Sequence, residues 1–482
     1  MMKSVKEKQK NPIFFYANIE NSGGEFMLKR IAIIADNSLN YLEKILELWN
    51  TGYVPALIDF RIPIQGCIAL IDQAEIKAIY TDKEELYQYI REYRQDLEIN
   101  LLESNKMLLN RVPEDIKKQY KKRYDETEAL ILFSSGTTGK SKGIILTHKA
   151  ITVNADLIVE VKHAGSKSRL YIYKTFAHCA TFVGELIVGI IAGAEIYISS
   201  VKQIMKKNIL NINKYGITHF SVNPTVLQMI IKYNKKNYSF PTLELVVCSG
   251  SLFTSSCRAS AQDFFGCPVI NMYGMTEVTA LAVCQEPIIK DYQSVTTHPE
   301  SVGKPLRGIR LKILDNMGKE VEVGSIGNIF ISTPTIMCGY IGLGRVELDK
   351  DGYWDTGDVG YFDQSNELYI IGRRDRMLIT SGHNVYPESI ERLIKVSELV
   401  NDCYVGGVDD SVYGKRIACV YSCDENKKEA VKKDIQNLCL ENLASYEVPY
   451  YYIWKKEFNY TSSGKLIIEN VDVYSILENK SL

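Results

Sequence analysis

The chain of 482 residues is 46% hydrophobic and 24% charged, and its 57 Lys and Arg against 58 Asp and Glu leave a formal net charge of −1. That balance argues against bulk electrostatic binding to nucleic acid or to an anionic membrane. The length exceeds what one hydrophobic core organises, so two to four lobes of roughly 100–200 residues are expected.

The basic stretch Met1 to Lys10 adjoins no apolar core of signal-peptide length. The longest apolar run, Leu186 to Ile198, is interrupted by Glu195 and is too short for a membrane span. Eleven cysteines occur without a C-x-x-C pair, so neither a zinc site nor a disulfide framework is indicated. They read as reduced thiols packed as small hydrophobes, and the expected compartment is the cytoplasm.

The first 280 or so residues alternate strand and helix signals. Ile31 to Ala35 reads as a buried strand, and Ser38 can cap a helix carrying Leu42, Ile45, Leu46 and Trp49 on one face until Asn50-Thr51-Gly52 stops it. Val54 to Ile58 and Ala78 to Tyr80 continue the alternation, with further strands expected at 129–133, 170–173, 194–198, 217–222, 243–248 and 268–272. Pro224 suits a first helical turn. This pattern predicts α/β layers with mainly parallel sheets. From about 300, short apolar runs at Leu311 to Leu314, Asn328 to Ser332 and Leu368 to Ile371, punctuated by glycines and acidic turns, predict a small β-rich unit. Beyond Gly372-Arg373-Arg374-Asp375 the pattern becomes mixed: Pro387 opens a helix, Arg416 to Ser422 reads as a strand and 427–442 as a polar-faced helix.

Five segments could carry chemistry. The apolar strand Leu130 to Phe133 empties into Ser134-Ser135-Gly136-Thr137-Thr138-Gly139-Lys140-Ser141-Lys142-Gly143. Glycines, hydroxyls and lysines of this kind cradle phosphate. Gly136 and Gly139 are separated by two residues, which is not Walker A spacing. Asn271-Met272-Tyr273-Gly274-Met275-Thr276-Glu277 ends a strand with an aromatic that can stack on a base and a carboxylate that can hold Mg²⁺. Tyr353-Trp354-Asp355-Thr356-Gly357-Asp358 offers a carboxylate for ribose hydroxyls. Gly372 to Met377, continuing through Ser381-Gly382-His383-Asn384, combines arginines with glycines. Thr461-Ser462-Ser463-Gly464-Lys465 places a lysine on a Ser/Gly tip. Taken singly, each also reads as an ordinary surface turn.

In this order, the five segments resemble the signature of the adenylate-forming ligases, a superfamily that includes acyl- and aryl-CoA synthetases, amino-acid adenylation domains and beetle luciferases. The resemblance runs from about residue 30 to 466. It implies an α/β fold: a large N-terminal part of two α/β subdomains plus a β-barrel-like subdomain, with a small mobile α+β C-terminal domain. The implied boundaries are 1–374 for the ATP- and acid-binding part (about 1–300 α/β, 301–374 β-rich) and 375–482 for the mobile domain with the catalytic lysine. The implied reaction joins a carboxylic acid to AMP from ATP and Mg²⁺, then passes the acyl group to the thiol of CoA or of a phosphopantetheinyl carrier protein.

The resemblance also implies roles. Ser135, Gly136, Thr137, Thr138, Gly139 and Lys142 would hold phosphates. Tyr273 would stack on adenine, with Gly250 and Ser251 bordering it. Thr276 would contact phosphate, Glu277 would bind Mg²⁺, and Asp358 with Arg373 would hold the ribose. Lys465 would reach the α-phosphate, Asp375 would be the hinge, and Ser381 and Gly382 would line the thiol tunnel. His178, in Phe176-Ala177-His178-Cys179, would line the carboxylate pocket. Amino-acid adenylation domains usually carry an aspartate here to pair with the substrate ammonium, but no acidic residue occurs between Thr175 and Gly184. An unpaired buried ammonium costs several kcal/mol, so an aryl or acyl acid without an α-amino group is expected.

Three departures stand out. Ser141 replaces a frequent proline, Glu447 replaces a common lysine, and the stretch before Ile31 is short for the family, which implies a reduced N-terminal subdomain. CoA is favoured as acceptor over a carrier protein, and no nucleic-acid partner is expected. The rival readings are a nucleotide-binding protein without catalysis, a luciferase-like oxygenase and an amino-acid adenylation enzyme. Against the first, Lys465 and Glu277 are both present.

Overall fold

In the computed structural model, the described residues are 30–103, 108–135, 141–233, 238–250, 253–285, 300–410, 412–460 and 466–467. Gly136, Thr137, Thr138, Gly139, Ser251 and Lys465 lie outside them, as does the side chain of Ser135.

Alternation of apolar strands with capped helices builds the first sheet. The strand Arg30–Ile34 is buried from Ile31 onward. Ser38 then caps the helix Leu39–Asn50, its side chain accepting a hydrogen bond from the Tyr41 amide, and so satisfies an amide the first turn leaves open. Across the sheet the order is Gly344–Arg345, Gly339–Tyr340, Ser141–Thr147, Glu128–Ser135, Val54–Leu57, Arg30–Ile34, Ala78–Thr81 and Glu98–Leu101. The run from Glu128–Ser135 to Glu98–Leu101 is parallel, as the crossover helices require. Ser141–Thr147 folds back antiparallel on Glu128–Ser135, so the flanks of the Ser/Gly loop are two paired strands.

The second eight-stranded sheet has a parallel centre, in the order Val269–Tyr273, Leu245–Ser249, His219–Val222, Arg169–Ile172 and Glu195–Ser199. The helices His148–Lys162 and Cys179–Ile191 bring it against the first sheet, and Leu46, Trp49, Ile144, Leu186 and Val247 share one apolar cluster. The Trp49 indole N–H donates to the Ala129 carbonyl at 2.6 Å, locking helix to sheet. No described helix is long and apolar enough to cross a membrane. The run Leu186 to Ile198 is instead a buried helix end followed by a strand. All eleven cysteines are free, and all but Cys338 are buried.

The β-rich unit is a four-stranded antiparallel sheet, Arg310–Leu314, Gly327–Ser332, Trp354–Phe362 and Leu368–Arg373. No closed barrel forms among the described residues. The C-terminal part has its own sheet, in which Gly414–Ser422 pairs with Asp402–Asp410 and Tyr451–Trp454. It is covered by the helices Pro387–Ile394 and Lys428–Asn442 around a separate core that includes Ile390, Val405, Tyr421 and Ile435.

Candidate active site

The strand Val269–Tyr273 ends at Gly274, where only glycine fits: a Cβ would lie 1.8 Å from the Ala280 carbonyl oxygen. The chain turns through a short 3₁₀ segment, Thr276–Val278, and leaves through Thr279 at φ +73°. This tight loop is fixed at several points. The Met337 amide donates to the Glu277 carbonyl at 2.7 Å, the Thr279 hydroxyl to the Thr335 carbonyl at 2.7 Å, and the Thr335 hydroxyl to the Val278 carbonyl at 3.0 Å. Gly274→Ala is therefore expected to force the backbone apart at a cost of about 1–3 kcal/mol or more. It should lower both the thermal midpoint and the affinity for ATP, measured by thermal shift and nucleotide titration; wild-type values for both would refute the close-packing argument.

The Glu277 carboxylate accepts a hydrogen bond from the Tyr340 hydroxyl at 3.1 Å, and the Lys142 ammonium lies 5.1 Å from the Tyr340 ring centre. Burial, with the nearby Glu277 carboxylate, drives the Tyr340 phenol well above its ordinary pKa, so it remains a donor. Among the described residues no group of three His, Cys, Asp or Glu gathers. A single oxygen donor of this kind suits Mg²⁺, which retains waters and takes its remaining ligands from phosphates. The sequence pattern singles out Glu277 and Lys142 but not Tyr340, which comes from the short strand Gly339–Tyr340 far along the chain.

Asp358 lies in the strand Trp354–Phe362 where its register against Gly327–Ser332 shifts between Asp355 and Val359. Gly357 makes the kink at φ +72°, and a Cβ there would meet the Arg373 guanidinium at 3.0 Å. Buried Asp358 takes the Tyr273 hydroxyl on Oδ2 at 2.6 Å and Arg373 Nη1 on Oδ1 at 3.1 Å. Burial raises its carboxyl pKa, and those two donors oppose the rise. One contact set thus joins the second sheet, the β-rich sheet and the edge of the C-terminal part. Gly250 follows the strand Leu245–Ser249, whose Ser249 pairs with Met272, so it lies beside Tyr273; its φ is +97° and nothing approaches within 4 Å of where a Cβ would be. Tyr273, Gly250, Asp358 and Arg373 are therefore brought together, with space at Gly250.

His178 begins the helix at Cys179 and is held from both sides. Asn37 latches the preceding loop: its side chain donates to the Lys174 carbonyl at 2.7 Å and accepts from the Phe176 amide at 3.1 Å. The Cys179 thiol donates to the Thr279 carbonyl at 2.8 Å. His178 is thereby tied to the Glu277 loop. The next stretch of chain, Phe182–Ile187, is π-helical and holds buried Glu185; the sequence pattern gave no sign of it. The acid-free window noted in the sequence ends just before this residue. The Glu185 carboxylate already lies 2.7 Å from the Lys174 ammonium, so it leaves no spare counter-charge for a substrate ammonium.

Asp375 is exposed in the 3₁₀ turn Arg374–Arg376, between two anchored arginines. Arg373 grips Asp358 on one side, and Arg376 pairs with Glu391 at 2.7 Å and Glu388 at 3.1 Å on the other. Ser381 at φ +52° and Gly382 at φ +80° form a two-residue hairpin turn, the geometry of a type I′ connection. No described hydrogen bond or ring contact joins this turn to Tyr273, Glu277 or Asp358. Thr276 lies in the Glu277 turn.

Known proteins resemble the chain both in sequence and in fold. The family model for AMP-binding enzyme matches residues 27–341, and that for the AMP-binding enzyme C-terminal domain matches residues 389–465. The 2-succinylbenzoate–CoA ligase of Enterococcus faecalis is 25% identical over 91% of this chain and 87% of its own length. ATP-bound MatB from Rhodopseudomonas palustris superposes with a TM-score of 0.81 at 22% identity, over 94% of this chain and 90% of that one. The o-succinylbenzoate CoA synthetase of Bacillus subtilis, in complex with the acyl-adenylate intermediate OSB-AMP, gives 0.78 at 20% identity over 92% and 88%. At these identities the two structures attest the fold.

Proposed function

This chain belongs to the AMP-binding enzyme family, and on that footing we propose that it is an AMP-forming ligase that joins a carboxylic acid without an α-amino group to the thiol of CoA. The observation that carries the reading is the buried Asp358 carboxylate held between the Tyr273 hydroxyl and Arg373. Each carboxylate oxygen keeps a further lone pair for a ribose hydroxyl. The open space at Gly250 lets a purine approach the Tyr273 ring.

The acid carboxylate attacks the α-phosphorus of ATP, the bond to the β-phosphate oxygen breaks, and pyrophosphate leaves. The thiol sulfur then attacks the acyl carbon, AMP departs with the bonding pair, and the thiol proton is lost to solvent or a base. In the first step Lys142, Thr276 and the Ser135–Gly139 loop hold the β- and γ-phosphates, and Ser251 borders the base. Lys465 meets the charge growing at the α-phosphate, and His178 lines the acid's carboxylate. Glu277 would hold Mg²⁺, which when bound supplies positive charge against the phosphate oxygens; Tyr340 keeps that carboxylate aimed. Asp375, between its two anchored arginines, is the hinge that turns residues 375–482 from adenylation to thiolysis. Ser381 and Gly382 then flank the entering thiol. A few residues absorbing φ/ψ change suffice for such a motion. The setting is the cytoplasm.

Acid-dependent ATP–pyrophosphate exchange tests the reading. Aryl, fatty, short-chain and amino acids are offered in turn, and productive acids are then given CoA or a holo-carrier protein. Exchange with non-amino acids, abolished by EDTA and restored by Mg²⁺, with thioester formed on CoA, is the expected result. Exchange confined to α-amino acids, or acylation of the carrier protein alone, would overturn it.

A further inference from the structure

A charged cluster lies on the helical stretch that His178 opens. Glu185 lies six residues beyond Cys179, whose thiol touches the Glu277 loop at the Thr279 carbonyl, on one continuous helical stretch. Around it are two ammonium groups. Lys174 lies 2.7 Å from the Glu185 carboxylate, and Lys162, the last residue of its helix, donates to the Gly184 carbonyl at 2.8 Å. A widened π turn disturbs the regular i−4 pairing, and here Lys162 satisfies a carbonyl within it. Lys162, Glu185, His219 and Ser221 border a small cavity against Leu170 and Val247.

The charges do not cancel. His219 is pushed by burial to about 4, so it is neutral near pH 7, whereas Lys162 is lowered only to about 8, with Glu185 opposing the desolvation. Two cations therefore face one carboxylate. The Tyr173 hydroxyl is buried with no hydrogen-bond partner among the described residues; burial raises its pKa, and Glu185 nearby adds to the rise. The one charged group that keeps an open face is Lys174: its side chain is 19% exposed, against 5% for Glu185. Lys174 stands four residues before His178 on the loop that Asn37 latches. An ammonium has three donors, and Lys174 faces Glu185 as an ion pair without a hydrogen bond, so donors remain for a ligand.

Resting on the ligase reading, we propose that the activated acid bears a second, distal carboxylate, and that Lys174 binds it. A monoacid would leave the surplus positive charge uncompensated, and an α-amino acid would add to it. A short aliphatic or aromatic diacid fits better than a long alkyl chain, whose methylenes would press on the Lys174–Glu185 pair. Lys174 is a specificity residue in this account, since the bond-making atoms lie at the other end of the pocket.

ATP–pyrophosphate exchange with matched pairs tests the proposal: glutarate against pentanoate, adipate against hexanoate, and a benzenedicarboxylate against benzoate. The wild-type chain should favour the diacid in kcat/KM by at least about tenfold, since a site built for a polar group penalises the analogue that lacks it. Lys174→Met should bring the ratio toward one, and Lys174→Arg should keep it. Because K174M still leaves Lys162 beside Glu185, Lys174→Gln is measured with it, folding of each checked by thermal shift, and should lose the preference too. Wild-type exchange that is equal for the two classes, or better with monoacids, overturns the proposal and leaves the ligase reading standing. A preference that survives in folded K174M and K174Q also overturns it. Absence of exchange with every acid removes the ligase reading and this inference with it.

Discussion

Lys465→Ala is expected to lower acid-dependent ATP–pyrophosphate exchange by at least ~10²–10³-fold, the usual cost of losing one donor aimed at developing charge. The same variant, given preformed acyl-adenylate and CoA, should release thioester at close to the wild-type rate. The asymmetry comes from the chemistry of the two steps. Adenylation builds negative charge around the α-phosphate, which a lysine there offsets. Thiolysis breaks the acyl–oxygen bond and lets AMP leave, and on the proposed rotation the Ser381-Gly382 turn would by then have replaced the lysine tip. The flanks of that tip are firmly seated: Tyr460 pairs with Leu466 across it, and the Tyr460 hydroxyl donates to Asp402 at 2.5 Å. The substitution itself should therefore leave the C-terminal core undisturbed. Equal loss in both half-reactions would contradict the alternating roles.

Asp358→Asn should lower kcat/KM for ATP by about 10²-fold or more. The substitution turns an acceptor-only carboxylate into an amide, weakening its charge-assisted bonds to Arg373 and to the ribose, each worth about 1.5–3 kcal/mol. It also leaves the partly buried Arg373 with only the longer 3.4 Å ion pair to Asp375, so the thermal midpoint should fall. Deoxynucleotides make the test specific. Wild type should discriminate against 2′-deoxy-ATP, whereas D358N should treat ATP and 2′-deoxy-ATP nearly alike, because the group that senses the hydroxyl has gone. Unchanged discrimination in a folded D358N would remove Asp358 from the ribose site.

What the sequence revealed divides along physical lines. The parallel strands were legible because strands buried on both faces read as unbroken apolar runs, and Ser38 and Pro224 marked helix starts through local backbone chemistry that needs no tertiary partner. The strand Ser141–Thr147 was not legible as such, since Lys142 and Gly143 break its alternation. Its existence depends on pairing with Glu128–Ser135, and a Cβ on Gly143 would press on the end of the Ile341 side chain at 2.5 Å. Tyr273 and Asp358 were read as separate ligands of base and ribose. Their hydrogen bond, and the Tyr340 clamp on Glu277, join residues 85 and 63 positions apart, a separation that no local pattern encodes. The π turn at Phe182–Ile187 was hidden inside an apolar run, and the meaning of Glu185 within it came only with Lys162 and Lys174 beside it.

The claim on which the account stands is that an acid oxygen becomes bonded to the phosphorus of AMP. It is tested most directly by incubating the full chain with ATP, Mg²⁺, CoA and a productive acid labelled with ¹⁸O in its carboxylate, then weighing the products by mass spectrometry. The account predicts one ¹⁸O atom in each AMP formed, with pyrophosphate unlabelled. AMP free of label, or ADP formed with the ¹⁸O in orthophosphate, would contradict it.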